Sequence, residues 1–97
     1  MDAFDVQREE GPGHGRFFIT LDGTAEAEMT YRKIGDSVIV IEHTFTPPEY
    51  RGRNIAAMLM GKAIEAAESE GLKIVPQCSY VAAQFRRHPE WAGLLAQ

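Results

Sequence analysis

The chain changes its hydrophobic period at a pair of prolines. Up to Phe45, apolar side chains recur mainly at every second position; from Asn54 onward they recur at spacings of three and four. A period of two marks strands with one buried face, and a period near 3.6 marks helices. Pro47-Pro48 stands between them, and proline cannot donate to a β-ladder, so the sheet-forming run must stop there. Ninety-seven residues leave room for one domain, 1–97, built from both kinds of element.

In the first part, residues 4–7 predict a short strand, and Glu10-Gly11-Pro12-Gly13 reads as a loop. Residues 15–21 alternate, with Phe17, Ile19 and Leu21 on one face; Asp22-Gly23 predicts a hairpin turn, and residues 25–32 alternate again. After the turn Gly35-Asp36, residues 38–45 are nearly apolar throughout, which predicts a central strand covered on both faces. In the second part a helix over 54–70 ends at Gly71, followed by a short strand over 72–75 and an amphipathic helix over 80–87. Pro89 suits the first position of a last helix ending near Leu95. The fold class is therefore α/β: a mixed, mainly antiparallel sheet with one parallel strand–helix–strand unit joined by a right-handed crossover.

Composition narrows the function classes. The net charge is −4, which disfavours general nucleic-acid binding, and no apolar stretch is long enough to cross a bilayer. The acidic start Met1-Asp2-Ala3-Phe4-Asp5 lacks a signal-peptide apolar run. One cysteine, Cys78, excludes an internal disulfide framework, so a cytoplasmic location is expected. No metal-ligand spacing joins His14, His43, His88 and Cys78. Trp91 with Leu94 and Leu95 reads as core or as a dimer contact, giving a monomer or a weak dimer. The charge is also unevenly divided: residues 1–50 are net −6 and residues 51–97 net +2.

The chemically informative segment, His43-Thr44-Phe45-Thr46-Pro47-Pro48-Glu49-Tyr50-Arg51-Gly52-Arg53-Asn54-Ile55-Ala56, leads into the positive half. It leaves a buried strand and enters a helix whose N-terminus offers unsatisfied N–H groups and the positive dipole end. Gly52 permits close approach of a ligand to the backbone, and Asn54 tolerates a left-handed conformation. Arg51 through Lys62 holds three basic residues and no acidic one, so the segment reads as a phosphate or pyrophosphate cradle. It is not a P-loop, because Ala63 stands where a magnesium-binding hydroxyl is needed, and G-x-G-x-x-G is absent.

Arg51-Gly52-Arg53-Asn54-Ile55-Ala56 resembles the acetyl-coenzyme A signature of the GNAT N-acetyltransferase superfamily, R/Q-x-x-G-x-G/A. Asn54 replaces the first glycine of that signature. The wider string Pro-Pro-Glu-Tyr-Arg-Gly-Arg-Asn-Ile-Ala-Ala, with Pro76-Gln-Cys-Ser-Tyr-Val-Ala-Ala and Arg87-His-Pro-Glu-Trp, is similar to the short single-domain subgroup, over roughly residues 15–95. The resemblance implies a diphosphate on the helix N-terminus and a pantetheine arm between splayed parallel strands. It places cofactor contacts at Thr44 and Phe45, along Arg51, Gly52, Arg53, Asn54, Ile55 and Ala56, and at Tyr80. It also implies direct attack by an amine on the acetyl thioester, the acceptor being a protein lysine, an N-terminus or a small polyamine.

Such a reaction needs proton transfers. Cys78 follows the second parallel strand and is expected near the thioester sulfur, as an acid for the leaving thiolate rather than as a covalent acyl carrier; otherwise it is a small buried hydrophobe. His43, sharing an alternation with Ile39, Ile41 and Phe45, is expected on an apolar face as a neutral base, with Glu42 on the opposite face as the weaker candidate. Tyr80 is a further proton donor or a packing residue. Fuller superfamily members carry helices between the first two strands and more strands after the last helix; here a Gly-Pro-Gly loop stands in the first gap, so an open acceptor face is expected. The alternative reading is a coenzyme A-binding module with little or no catalysis, and a plain interaction domain is a third.

Overall fold

The computed structural model describes residues 4–96, so the acidic Met1-Asp2-Ala3 lies outside the described residues. Five strands form one sheet in sequence order: β1 Gln7–Gly11, β2 His14–Thr20, β3 Glu26–Ile34, β4 Val38–Phe45 and β5 Lys73–Pro76. The first four are antiparallel neighbours, and β5 runs parallel to β4. Helix α1, Ile55–Glu70, makes the crossover between β4 and β5; helix α2, Ser79–Arg87, and a 3₁₀ segment, Pro89–Leu94, follow. The mixed sheet with one parallel pair is thus as the hydrophobic periods require.

The first strand departs from expectation. Glu10 and Gly11 belong to β1, pairing with Gly15 and His14, and the connection shrinks to Pro12-Gly13. Gly13 has φ 78°, the left-handed conformation a two-residue hairpin demands, so a Gly-Pro-Gly string that breaks strands here closes one. Residues 4–6 precede the ladder; Phe4 and Val6 pack against the core without joining it.

One face of the sheet is covered. Phe17, Ile19, Ala27, Met29, Tyr31, Ile39, Ile41 and Ile74 share that face by register, and they pack with Ile55, Leu59, Ala63 and Ala67 of α1 and Val81 and Phe85 of α2. The spacing of the α1 residues is the helical stripe read from the chain, and its alanines bring helix and sheet together. Gly71 ends α1 in a left-handed conformation, its N–H bonded to Ala67 O. The other face is mostly polar, with Phe18 and Val40 buried on it: Arg16 lies over the Phe18 ring, 4.0 Å from its centroid, and bonds Glu9, Glu26 and Glu28.

Tyr31 crosses over Gly15 to donate to Glu10 and accept from Arg8, which reaches on to Glu70 of α1. A Cβ at Gly15 would stand 2.6 Å from the Tyr31 hydroxyl and 2.8 Å from the Glu9 carbonyl oxygen. Gly15→Ala is therefore expected to cost about 2 kcal/mol, read as a lower denaturation midpoint, because a buried ring and a neighbouring strand must both shift.

Candidate active site

The residues before α1 leave the helix N-terminus open. A 3₁₀ turn, Pro48–Tyr50, leads into a loop in which Gly52 has φ 83° and Asn54 φ 63°. Asn54 is the only non-glycine residue with positive φ among the described residues, and it stands where the signature has glycine. The side chain has changed, but the backbone conformation that glycine favours there is kept. The first helical bond runs from Met58 N–H to Asn54 O, which leaves the amides of Ile55, Ala56 and Ala57 outside the helical ladder. The Asn54 side chain makes no capping bond, and no acidic residue lies in the first turn. Two left-handed residues stand ahead of these amides, which stay open to a ligand at the positive end of the helix dipole.

A groove of about 230 Å³ opens on this end, lined by Arg51, Gly52, Asn54, Ile55, Ala56 and Tyr80 among the expected residues, and by Thr46, Tyr50 and Ala57, which sequence reasoning missed. The position of Tyr50, directly before the signature, was the available clue. Arg51 Nε donates to Thr46 O at 3.0 Å, and the Arg53 guanidinium rests on the Tyr50 ring at 5.1 Å from its centroid. Of the other expected contacts, Arg53 is not among the lining residues, Thr44 faces Cys78, and Phe45 is exposed.

The β4–β5 ladder ends at Ile41–Pro76, whereas β4 continues to Phe45. Proline brings no N–H to this position, and the Cys78 N–H instead donates to Ile41 O at 2.9 Å. β5 ends here, and Cys78 stays beside β4 through this bond while β4 runs on to Phe45. Past the end of β5 the Cys78 thiol lies 3.4 Å from the Thr44 hydroxyl oxygen. Cys78 is also the N-cap of α2. Burial pushes its thiol pKa up, but the Thr44 hydroxyl and the backbone amides of Val81 and Tyr80 outweigh that, and the net shift is downward. Alkylation of Cys78 by iodoacetamide is accordingly expected to have its pH midpoint below that of a free thiol. Tyr80, half-buried beside it, is held protonated by burial, with Arg87 pulling the other way.

His43 is not where its alternation placed it. The register of β3 and β4 shifts between Thr30, paired with His43, and Tyr31, paired with Ile41, so Glu42 is an extra residue. This β-bulge reverses the parity of the strand beyond it. Thr44, opposite Met29, takes the covered face, while His43 and Phe45 turn to the open one. His43 is exposed rather than buried among Ile39 and Ile41, and Phe45 is 48% exposed. The strand predicted to be covered on both faces is covered so only over its first half. Glu42 is engaged by Arg32, whose Nε donates to it at 2.9 Å.

Comparison with known proteins decides the family. A family model described as GCN5-related N-acetyl-transferase matches residues 16–94. The chain belongs to the GCN5-related N-acetyltransferase family. Among its curated relatives, Protein NATD1 of Gallus gallus is 29% identical over 85 residues, covering 87% of this chain and 77% of that protein. Protein NATD1 of Danio rerio is 32% identical over 75 residues, covering 76% and 68%. The solution structure of a GCN5-like protein from Staphylococcus aureus superposes with a TM-score of 0.71 at 24% identity, over 99% of this chain and 91% of that one. The crystal structure of a ribosomal-protein-alanine N-acetyltransferase from Brucella melitensis superposes with a TM-score of 0.61 at 17% identity, over 91% and 67%. Both share the fold. This member of the GCN5-related N-acetyltransferase family carries its signature on the strand–helix connection, with asparagine holding the left-handed position.

Proposed function

We propose that this protein transfers the acetyl group of acetyl-coenzyme A to an amine by direct attack. The observation that carries the reading is the uncapped N-terminus of α1, with Gly52 and Asn54 left-handed before it, together with a β4 that runs on to Phe45 after its ladder with β5 ends at Ile41. Acetyl transfer is the chemistry of the family, and the donor set suits its acyl donor: free amides and arginines for the phosphates, and the stretch of β4 beyond its pairing with β5 for an extended arm. The acyl donor supplies the activated thioester. Gly52, Asn54, Ile55 and Ala56 bind its diphosphate, and β4 beyond Ile41 offers backbone groups to the arm.

The bulge at Glu42 gives the proton work two sides. Thr44 and Cys78 face the helices, whereas His43 faces the open side from which an amine can arrive. In the proposed step His43 accepts the proton the amine sheds and Cys78 protonates the departing thiolate; solvent restores both groups. An exposed imidazole reaches the amine without a buried approach. The open face also favours a cationic acceptor, such as a lysine, an N-terminal amine or a polyamine. Arg16 is one cation among Glu9, Glu26 and Glu28, so the cluster stays net negative, and Arg16 pairs with Thr30, the residue opposite His43. Raising ionic strength is expected to raise KM for a cationic amine with little change for a neutral one.

Thioester consumption with a panel of amines tests the proposal. Acetyl-coenzyme A binding without turnover would leave the binding-module reading, and no binding at all would remove both.

A further inference from the structure

We infer that Asp22, in the turn between β2 and β3, is a positioning residue for the anion-binding loop and acts on it through Tyr50. The inference rests on the reading of that loop as the coenzyme A site. Tyr50 closes the 3₁₀ turn and immediately precedes Arg51. It is 8% exposed, while Glu49 and Arg51 on either side are exposed. Its hydroxyl donates to the Asp22 carboxylate, 28 residues earlier in the chain, and its ring carries the Arg53 guanidinium at 5.1 Å. The same ring lines the groove.

One side chain therefore ties three things together: a hairpin turn at its tip, an arginine on its face and the groove along its flank. An arginine on a solvated loop loses rotamer freedom when it binds a phosphate, and one already resting on a fixed ring loses less. The carboxylate would by itself repel an anion, but the phenol stands between and keeps its proton, since donation to Asp22 holds its pKa up. The Asp22 turn is wider than a two-residue hairpin, closed by Leu21 N–H to Ala25 O and Ala25 N–H to Asp22 O, each 2.9 Å, which leaves its side chain free to reach across.

Two accounts of Asp22 predict opposite signs. Acting through Tyr50, Asp22→Ala is expected to weaken coenzyme A about five-fold, Tyr50→Phe to do the same, and Asp22→Asn, whose amide oxygen still accepts, to cause no weakening. Acting through charge alone, both Asp22→Ala and Asp22→Asn would tighten binding. The experiment is calorimetric titration of these variants with coenzyme A and with pantetheine, which lacks the phosphates, alongside tryptic cleavage after Arg51 and Arg53 without ligand. The expected result is weakening for coenzyme A but not for pantetheine, a matching rise in KM for acetyl-coenzyme A with kcat held, and faster cleavage in Asp22→Ala and Tyr50→Phe. Unchanged or tighter binding by Asp22→Ala, or unchanged cleavage, overturns the inference. If the wild-type chain binds neither ligand, the coenzyme A reading fails, and the cleavage rates still decide whether Asp22 holds the loop.

Discussion

Cys78→Ala is expected to lower kcat for acetyl transfer by about 10²-fold while leaving KM for acetyl-coenzyme A nearly unchanged. The size follows from removing a positioned acid from one proton transfer. The thiol is suited to that work because its pKa is lowered by Thr44 and by the first amides of α2, so handing a proton to a more basic thiolate is downhill. The pH dependence separates the two roles a cysteine can have here. As an acid it must hold its proton, and kcat falls as pH rises through the thiol pKa. As an acyl-carrying nucleophile it must lose that proton, and kcat rises over the same range. Cys78→Ser retains a hydroxyl near Thr44 but is a far weaker acid, so it is expected to resemble the alanine variant rather than the wild type. A Cys78→Ala protein with full kcat would remove the thiol from the chemistry.

Asn54→Val is expected to weaken acetyl-coenzyme A about ten-fold or more, whereas Asn54→Gly leaves affinity within about two-fold of wild type. The two substitutions remove the same amide but differ in what the backbone tolerates. At φ 63° a β-branched side chain is strained by about 1–3 kcal/mol, and relief comes from rotating the loop out of the conformation that points its amides at the ligand. Glycine keeps that conformation. Calorimetric Kd values for the two variants measure this directly. Equal weakening by both would mean that the Asn54 amide itself binds the ligand and that the left-handed backbone is incidental.

The switch of hydrophobic period at Pro47-Pro48 orders the strands and helices and marks the start of α1, where the proposed anion site lies. The features of that proposed cradle are legible because they are local: small residues, positive charge and one position that permits positive φ. The errors arose where one residue changes the geometry of many. Nothing in Ile-Glu-His-Thr marks Glu42 as a bulge, yet that extra residue reverses the strand's alternation, sends His43 to solvent and brings Thr44 to the thiol. Gly11-Pro12-Gly13 has loop composition, and its reading as a loop over-extended the gap because a two-residue turn uses the same residues. Contacts between distant segments, such as Tyr50 with Asp22 and Arg8 with Glu70, leave no periodic trace at all.

The central claim is that the donor's phosphates seat on the N-terminus of α1, with its arm running along β4 beside Cys78. For a chain of 10.8 kDa the direct measurement is a titration of the isotopically labelled protein with coenzyme A, following every backbone amide by NMR. The account predicts saturable shifts concentrated at Gly52 through Ala57 and at Cys78 through Tyr80, with β1 and the last turn of α1 unmoved. Saturable shifts confined to other parts of the sheet, or none at millimolar ligand, would contradict it.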